Sequence, residues 1–318
     1  MSVTFFVQHR FGHTFDPNNL PGTAEEAIEE ASLNWEVQKK RMFLEDGSEI
    51  PNNYAMYRDD TKEVLGVVGS RYTPLQNREA FAFFDNLIAD GLAEYHIAGS
   101  SLHGRKVWIL AKFKNDLEIF DGDTVEKYVL LSSSHDGSGS VIACITPMRV
   151  ICSNMLSATL RRARKKSGAD NYLSIRHTKT IGDRVAQAAN TLKMVEQAYT
   201  ALGETWQKMA EFELPPIAVE NYFKKVIPDN PNSENPYKTI AIRTEMHQYL
   251  KSGRGSELGL QETLWGAYNA VTEYMTHEIS DRKGSSFDKH MDSLWFGQRA
   301  KRSDQAMRVA LDVMAEAA

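Results

Sequence analysis

Cysteine is nearly absent, two residues in 318, and that scarcity excludes a disulfide-stapled fold. Cys144 and Cys152 stand eight apart on one apolar run, so in an extended strand they share a face yet lie too far apart to bridge. Buried free thiols are expected. The nine histidines are scattered and show no zinc-ligand spacing with the cysteines, so no metal is expected. Long apolar runs are missing too. No stretch approaches the roughly 18–20 residues that cross a bilayer, and Phe5-Phe6-Val7 is too short for a signal-peptide core. The chain therefore reads as cytoplasmic with no membrane partner. Nucleotide signatures are equally lacking: Asp136-Gly137 and the following Ser-Gly-Ser offer backbone N–H groups to a phosphate, without Walker spacing or G-x-G-x-x-G order. No cofactor is implied. Ser134-His135-Asp136 holds the residue types of a hydrolase triad, but sequence neighbours cannot adopt the mutual geometry, and the tripeptide reads as a turn. With no metal, nucleotide or nucleophile constellation standing, a non-enzyme is the favoured reading.

What is present centres on residues 132–166, where a turn, an apolar run and a basic segment follow without a break. Val141 to Cys152 is largely apolar and β-branched, the pattern of a buried central strand. Ser153 or Asn154 then caps a helix predicted from about Met155. On that helix Leu156, Leu160 and Ala163 share one side, while Arg161, Arg162, Arg164 and Lys165 fan over the other at ~100° per residue. From Arg149 to Arg184 there are nine Lys/Arg against two Asp/Glu, in a chain whose formal net charge is −5. Such a reversal of sign marks a patch facing an anion, phosphate backbones being the usual extended one. A solvated helix face, with Arg164, Lys165 and Lys166 complementing its own C-terminal dipole, explains the same charges. Both readings stay open. Tyr128, Tyr172 and His177 flank the segment as residues able to stack bases, or as ordinary core and rim residues.

Read in order, the chain opens with a short strand at Val3–Gln8 and a turn-rich loop. A helix capped by Thr23, with Glu26 as its capping-box partner, buries Ala27, Ile28, Ala31 and Leu33. Tyr54–Arg58 and Glu63–Tyr72 form a hairpin at Asp59–Lys62, and Asn77 caps a helix from Arg78 to Ala89 ended by Gly91. Two strands within Tyr95–Phe113 and one at Glu126–Ser132 follow, with short loops that favour antiparallel pairing. From Ile181 the period changes. Val185, Ala188, Leu192, Val195, Tyr199, Leu202, Trp206 and Met209 form a three-four seam on one long helix. Pro215-Pro216 and the Pro/Asn-rich 227–237 interrupt it. Leu264, Tyr268, Val271 and Met275 mark a second long helix, and Met291–Ala317 a third with a break at Gly297. The fold class is α+β: a mainly antiparallel sheet with packed helices over residues 1–180, then a helical region over 181–318. The seams on helices 183–211 and 258–279 close on each other or on a second copy in a homo-oligomer.

Thr146 to Leu156 (TPMRVICSNML) resembles the arginine-cysteine-asparagine signature of the phage/plasmid-like family called domain of unknown function 932. Thr23–Val37, Tyr72–Leu87 and Ser293–Met307 are similar to it as well, whereas His9–Phe15 departs from the family's Pro-Trp-His-Gly-like stretch. The resemblance implies carriage on phages, prophages and plasmids, hence a bacterial host cytosol, and it brings no catalytic residues. The expected function is nucleic-acid binding in DNA replication, recombination or protection, with single-strand binding or annealing as its specific form. Phosphate contacts are expected from Arg149, Arg161, Arg162, Arg164, Lys165, Lys166, Arg176 and Lys179. The alternative is a non-catalytic assembly or host-interaction protein, which the pI of about 6.0 favours over a general DNA coat. For Arg149 a structural role is the competing reading, because a guanidinium fork at a strand end binds carbonyls or a carboxylate as lysine cannot.

Overall fold

A computed structural model describes residues 12–151, 154–157, 172–189, 195–229, 235, 237–278 and 287–317. Its largest layer is a six-stranded sheet in the order β1-β5-β6-β9-β10-β13. The strands are β1 (Gly12–Thr14), β5 (Ala93–Ser101), β6 (Lys106–Phe113), β9 (Tyr128–Ser134), β10 (Val141–Ile145) and β13 (Tyr172–Ile175). A four-stranded sheet, β12-β11-β8-β7, joins β7 (Leu117–Phe120), β8 (Asp123–Glu126), β11 (Met148–Arg149) and β12 (Asn154–Met155). A three-stranded sheet holds β2 (Val37–Phe43), β3 (Glu49–Arg58) and β4 (Val64–Gly69). Every pairing is antiparallel, as short strand-to-strand loops require. The fold is α+β.

Both faces of the large sheet are covered, which explains why β6 and β9 are buried at nearly every position, Ser132, Ser133 and Ser134 included, rather than alternating. Val107, Ile109, Leu131 and Ala143 face a core shared with α1 (Ala24–Glu30), α2 (Asn77–Phe81) and α3 (Asp85–Ala89). Trp108, Leu110 and Leu130 face Met291 and Leu294 of α9 (Phe287–Trp295), with Trp295 against Trp108 at 5.1 Å. Local chemistry sets the element ends. Thr23 Oγ1 accepts the Glu26 N–H at 3.3 Å, and the Glu26 carboxylate accepts the Gly22 N–H at 2.7 Å. The hairpin between β3 and β4 turns at the expected Asp59–Lys62. Gly91 takes φ +68° just past α3.

The helices that follow are α4 (Ile181–Ala189), α5 (Val195–Glu211), α6 (Pro216–Val226), α7 (Tyr237–Ser252), α8 (Leu264–His277), α9 and α10 (Gln298–Ala317). Pro216 starts α6, where its missing N–H costs nothing. Residues 190–194 lie outside the described ones, so the continuity of the single long helix expected from Ile181 falls there, and α4 and α5 are described on either side. Its seam residues Tyr199, Leu202, Trp206 and Met209 are fully buried, as are Leu264, Tyr268 and Val271 of α8. Trp206 meets Trp265 at 5.8 Å. These described seam residues are therefore buried within one chain, and nothing in them supports the expected homo-oligomer contact through 183–211 and 258–279.

Other expectations are corrected. Val141–Cys152 is not one central strand. β10 is fifth of six in its sheet, and Pro147, with no N–H to give a ladder, separates it from β11 in a different sheet. The chain then doubles back, pairing Met148 with Met155 and Arg149 with Asn154, so Asn154 and Met155 are strand and not the start of a helix. The remainder of that segment, 158–171, lies outside the described residues, and so do Val3–Gln8 and Cys152. Asn77 is not the cap of α2, which is Gln76. Asn77 is buried instead, donating from Nδ2 to Leu33 O at 2.8 Å. β2, the β7-β8 hairpin and α7 were not expected.

Candidate functional site

An open cleft of about 560 Å³ is built where three segments distant in sequence converge. Gly69, Ser70, Arg71 and Tyr72 come from the end of β4. Gly137, Gly139 and Ser140 come from the β9-β10 turn, and Arg176, His177 and Thr178 follow β13, with Asn52 at the edge. Register explains the meeting. Val141 pairs with Ile175, so the residues before β10 and after β13 emerge at the same end of the sheet. The turn then presses on β4. A Cβ on Gly66 would lie 2.7 Å from Asp136 O, and one on Gly137, which has φ +79°, would lie 2.8 Å from Val68. Glycine is required at both places by contact.

The walls are fixed by hydrogen bonds. Lys39 Nζ donates to the carbonyls of Gly69, Ser70 and Tyr72 at 3.1, 2.9 and 2.7 Å, and burial lowers its pKa. Tyr72 Oη donates to Ser134 O at 2.7 Å, and the Tyr72 ring stacks on His177 at 4.7 Å. The Thr73 N–H donates to His177 O at 3.2 Å. Asp136 Oδ1 accepts from Ser134 Oγ at 2.5 Å and from the Ser138 N–H at 2.8 Å. Burial alone would raise the Asp136 pKa, but these hydrogen bonds outweigh it and hold the carboxyl below its ordinary range. Ser134 is the last residue of β9, and His135-Asp136 open the turn that follows it. His135 is fully buried, its Nε2 on Asn77 Oδ1 at 2.8 Å. Because Asn77 uses its amide N–H groups on carbonyls, its oxygen accepts and the His135 Nε2 donates. Burial pushes the His135 pKa down to about 3 and also lowers that of His177.

Of the residues expected to contact phosphate, the cleft gathers Arg176 at its wall, with Lys179 exposed three residues on. Arg149 lies elsewhere. It is 3% exposed and places Nε and Nη2 on the two oxygens of Asp123, each at 2.7 Å. Trp265 Nε1 donates to the same carboxylate at 2.7 Å, and the guanidinium sits 5.7 Å from the Trp265 ring centre. The adjoining cavity is water-sized, about 20 Å³. Arg149 is thus the structural fork at the strand end. Arg161, Arg162, Arg164, Lys165 and Lys166 lie outside the described residues. Tyr128 is fully buried, so it is core and not a stacking residue. Cys144 is a free thiol whose pKa burial pushes up to about 11, far from the thiolate a nucleophile needs.

Arg71 was missed. It is exposed, lines the cleft together with Arg176, and makes no ion pair with a described residue, and neither does Arg176. Its only signal was position, after a Gly-Ser strand end and before a Pro-restricted turn. Among the described residues there is no cluster of three or more His, Cys, Asp or Glu able to hold a metal, and no helix is long and apolar enough to cross a membrane. No curated protein and no solved structure matches the chain. The family model described as domain of unknown function (DUF932) matches residues 64–308, which take in the cleft except Asn52 at its edge, the Arg149 fork and most of the helices. The chain belongs to the DUF932 family.

Proposed function

We propose that this chain is a nucleic-acid-binding protein of a mobile element, acting in DNA replication, recombination or protection, with single-strand binding or annealing as its specific form. The observation that carries the reading is the cleft, where the guanidiniums of Arg71 and Arg176 flank a glycine-serine turn. Guanidinium forks match phosphate oxygens in geometry and charge. Exposed turn N–H groups add donors that need no side chain. Lys179 extends the same charge; Arg161, Arg162, Arg164, Lys165 and Lys166 precede β13 in the sequence, lie outside the described residues, and stay part of the proposal as further phosphate contacts. Arg149 is left out because its fork is committed to Asp123.

Electrophoretic shift of labelled single-stranded DNA, duplex DNA and RNA at low ionic strength tests the proposal. Binding that weakens steeply with salt supports it, and no salt-sensitive shift with any of the three rejects it. A non-catalytic assembly or host-interaction role is the second reading. It is favoured by Phe43 and Leu44 at the tip of the β2-β3 hairpin, each 57% exposed, because large exposed apolar side chains side by side mark contact surfaces. A strict monomer by light scattering at high concentration removes the self-assembly form of that reading.

A further inference from the structure

We infer that the solvent face of the β2-β3-β4 sheet is a floor for the bases of a single strand whose backbone is anchored at the Arg71/Arg176 cleft. This deepens the reading above and rests on it. Register sets Gln38, Tyr57 and Val64 in one row across the three strands, Lys40, Ala55 and Val67 in the next, and Asn53 beside Gly69 in the third. Opposite residues of an antiparallel pair share a face and successive residues alternate. These rows therefore lie on the side away from buried Val37, Met56 and Val68. Val64 and Val67 are 53% and 50% exposed. The third row ends at Gly69, and Gly69 and neighbouring Asn52 line the cleft, so floor and cleft form one surface.

Charge decides the occupant. Lys40 Nζ stands 4.9 Å from the centre of the Tyr57 ring, and Lys40, like Arg71 and Arg176, makes no ion pair with a described residue. A floor of one aromatic ring and small, apolar or amide side chains, with the Lys40 cation on it and those of Arg71 and Arg176 at its end, suits the alternation of base and phosphate along a single strand. A duplex turns its bases inward and would leave the floor unused. A second copy docked through the same face would bring the Lys40 and Arg71 cations of the two chains together, which disfavours it.

The test compares a labelled oligothymidylate with an abasic phosphate-sugar strand of equal length, titrated into the full chain by fluorescence anisotropy. The base-bearing strand is expected to bind about tenfold tighter, and Tyr57→Ala to remove about that factor while leaving the abasic strand unchanged. Tyr57→Leu, which keeps the side-chain bulk without a π-face, guards against a folding defect and is expected to behave like Tyr57→Ala. Equal binding of the two strands, still dependent on Arg71 and Arg176, would mean that the site reads backbone alone and overturns this inference while sparing the cleft. A parent dimer that Val64→Glu with Val67→Glu dissociates, with strand binding untouched by Tyr57→Ala, assigns the face to a second copy and overturns it too. If neither strand binds the parent, the nucleic-acid reading fails and takes the inference with it.

Discussion

Arg149→Lys separates a structural arginine from a functional one. In the folded chain Asp123 is 0% exposed and receives two charge-assisted hydrogen bonds from Arg149 and one from the Trp265 indole. Lysine at 149 can offer one point charge to one oxygen, so at least one oxygen loses a donor and the planar contact with Trp265 disappears. Removing one partner of a buried pair costs about 3–5 kcal/mol because the other charge stays buried. Lysine keeps the charge, so roughly half, ~2 kcal/mol, is expected. At about 2–4 °C per kcal/mol for chains of ~150–250 residues, and less for one of 318, the melting temperature should fall by at most ~4–8 °C. Thermal unfolding followed by circular dichroism measures the loss, and anisotropy at low temperature should show unchanged strand affinity. A variant as stable as the parent that nevertheless loses binding would refute the reasoning and return Arg149 to the ligand site.

His135 should make the fold acid-labile. Its folded pKa, pushed down to about 3, lies below its ordinary 6.5, so between those values the unfolded chain binds the extra proton and stability drops as pH falls. His177, lowered in the same direction, adds to the slope. Urea midpoints at pH 7 and pH 5 should differ for the parent, and the difference should shrink in His135→Gln; an equal difference in both would discard the assignment. Gly137→Ala should cost about 1–2 kcal/mol from its left-handed φ alone and more from the approach to Val68, with strand affinity falling as the turn moves. A Gly137→Ala protein with parental stability and affinity would show that this contact does not shape the cleft.

The elements legible in the sequence are those whose signals are local. The Thr23 cap, the Asp59–Lys62 turn, Pro215-Pro216 and the break at Gly297 each act over a few residues, and each stands where it was expected; Glu26 closes on the Gly22 N–H and not on that of Thr23. The seam of α5 was legible because its apolar residues meet α8 at a fixed period. α7 was not: Tyr237 and Ile240 are 75% and 49% exposed while Arg243 is buried. Arg243 donates to Ile227 O and Asp229 at 2.8 Å each, so a cation inside and apolar groups outside invert the pattern a helix search uses. The continuous apolar run 141–152 misled for a related reason, since burial on two sides looks the same in one long strand as in short strands of two sheets. Only parts of the cleft could be read. The glycine-serine turn and Arg176 carry chemistry recognisable in sequence, but the places of Arg71 and Lys40 are set by long-range strand pairing that no local pattern encodes.

The salt dependence of strand binding in Arg71→Ala, Arg176→Ala and the double variant tests the cleft most directly. Both side chains are exposed, so the folded state should survive, with circular dichroism as the check. Each single variant is expected to lower the slope of log affinity against log salt by about one, and the double by about two. A double variant that keeps the parental slope and affinity, while the parent binds nucleic acid tightly, would contradict the cleft as the phosphate site and leave the charge at Arg161–Lys166 to account for the binding.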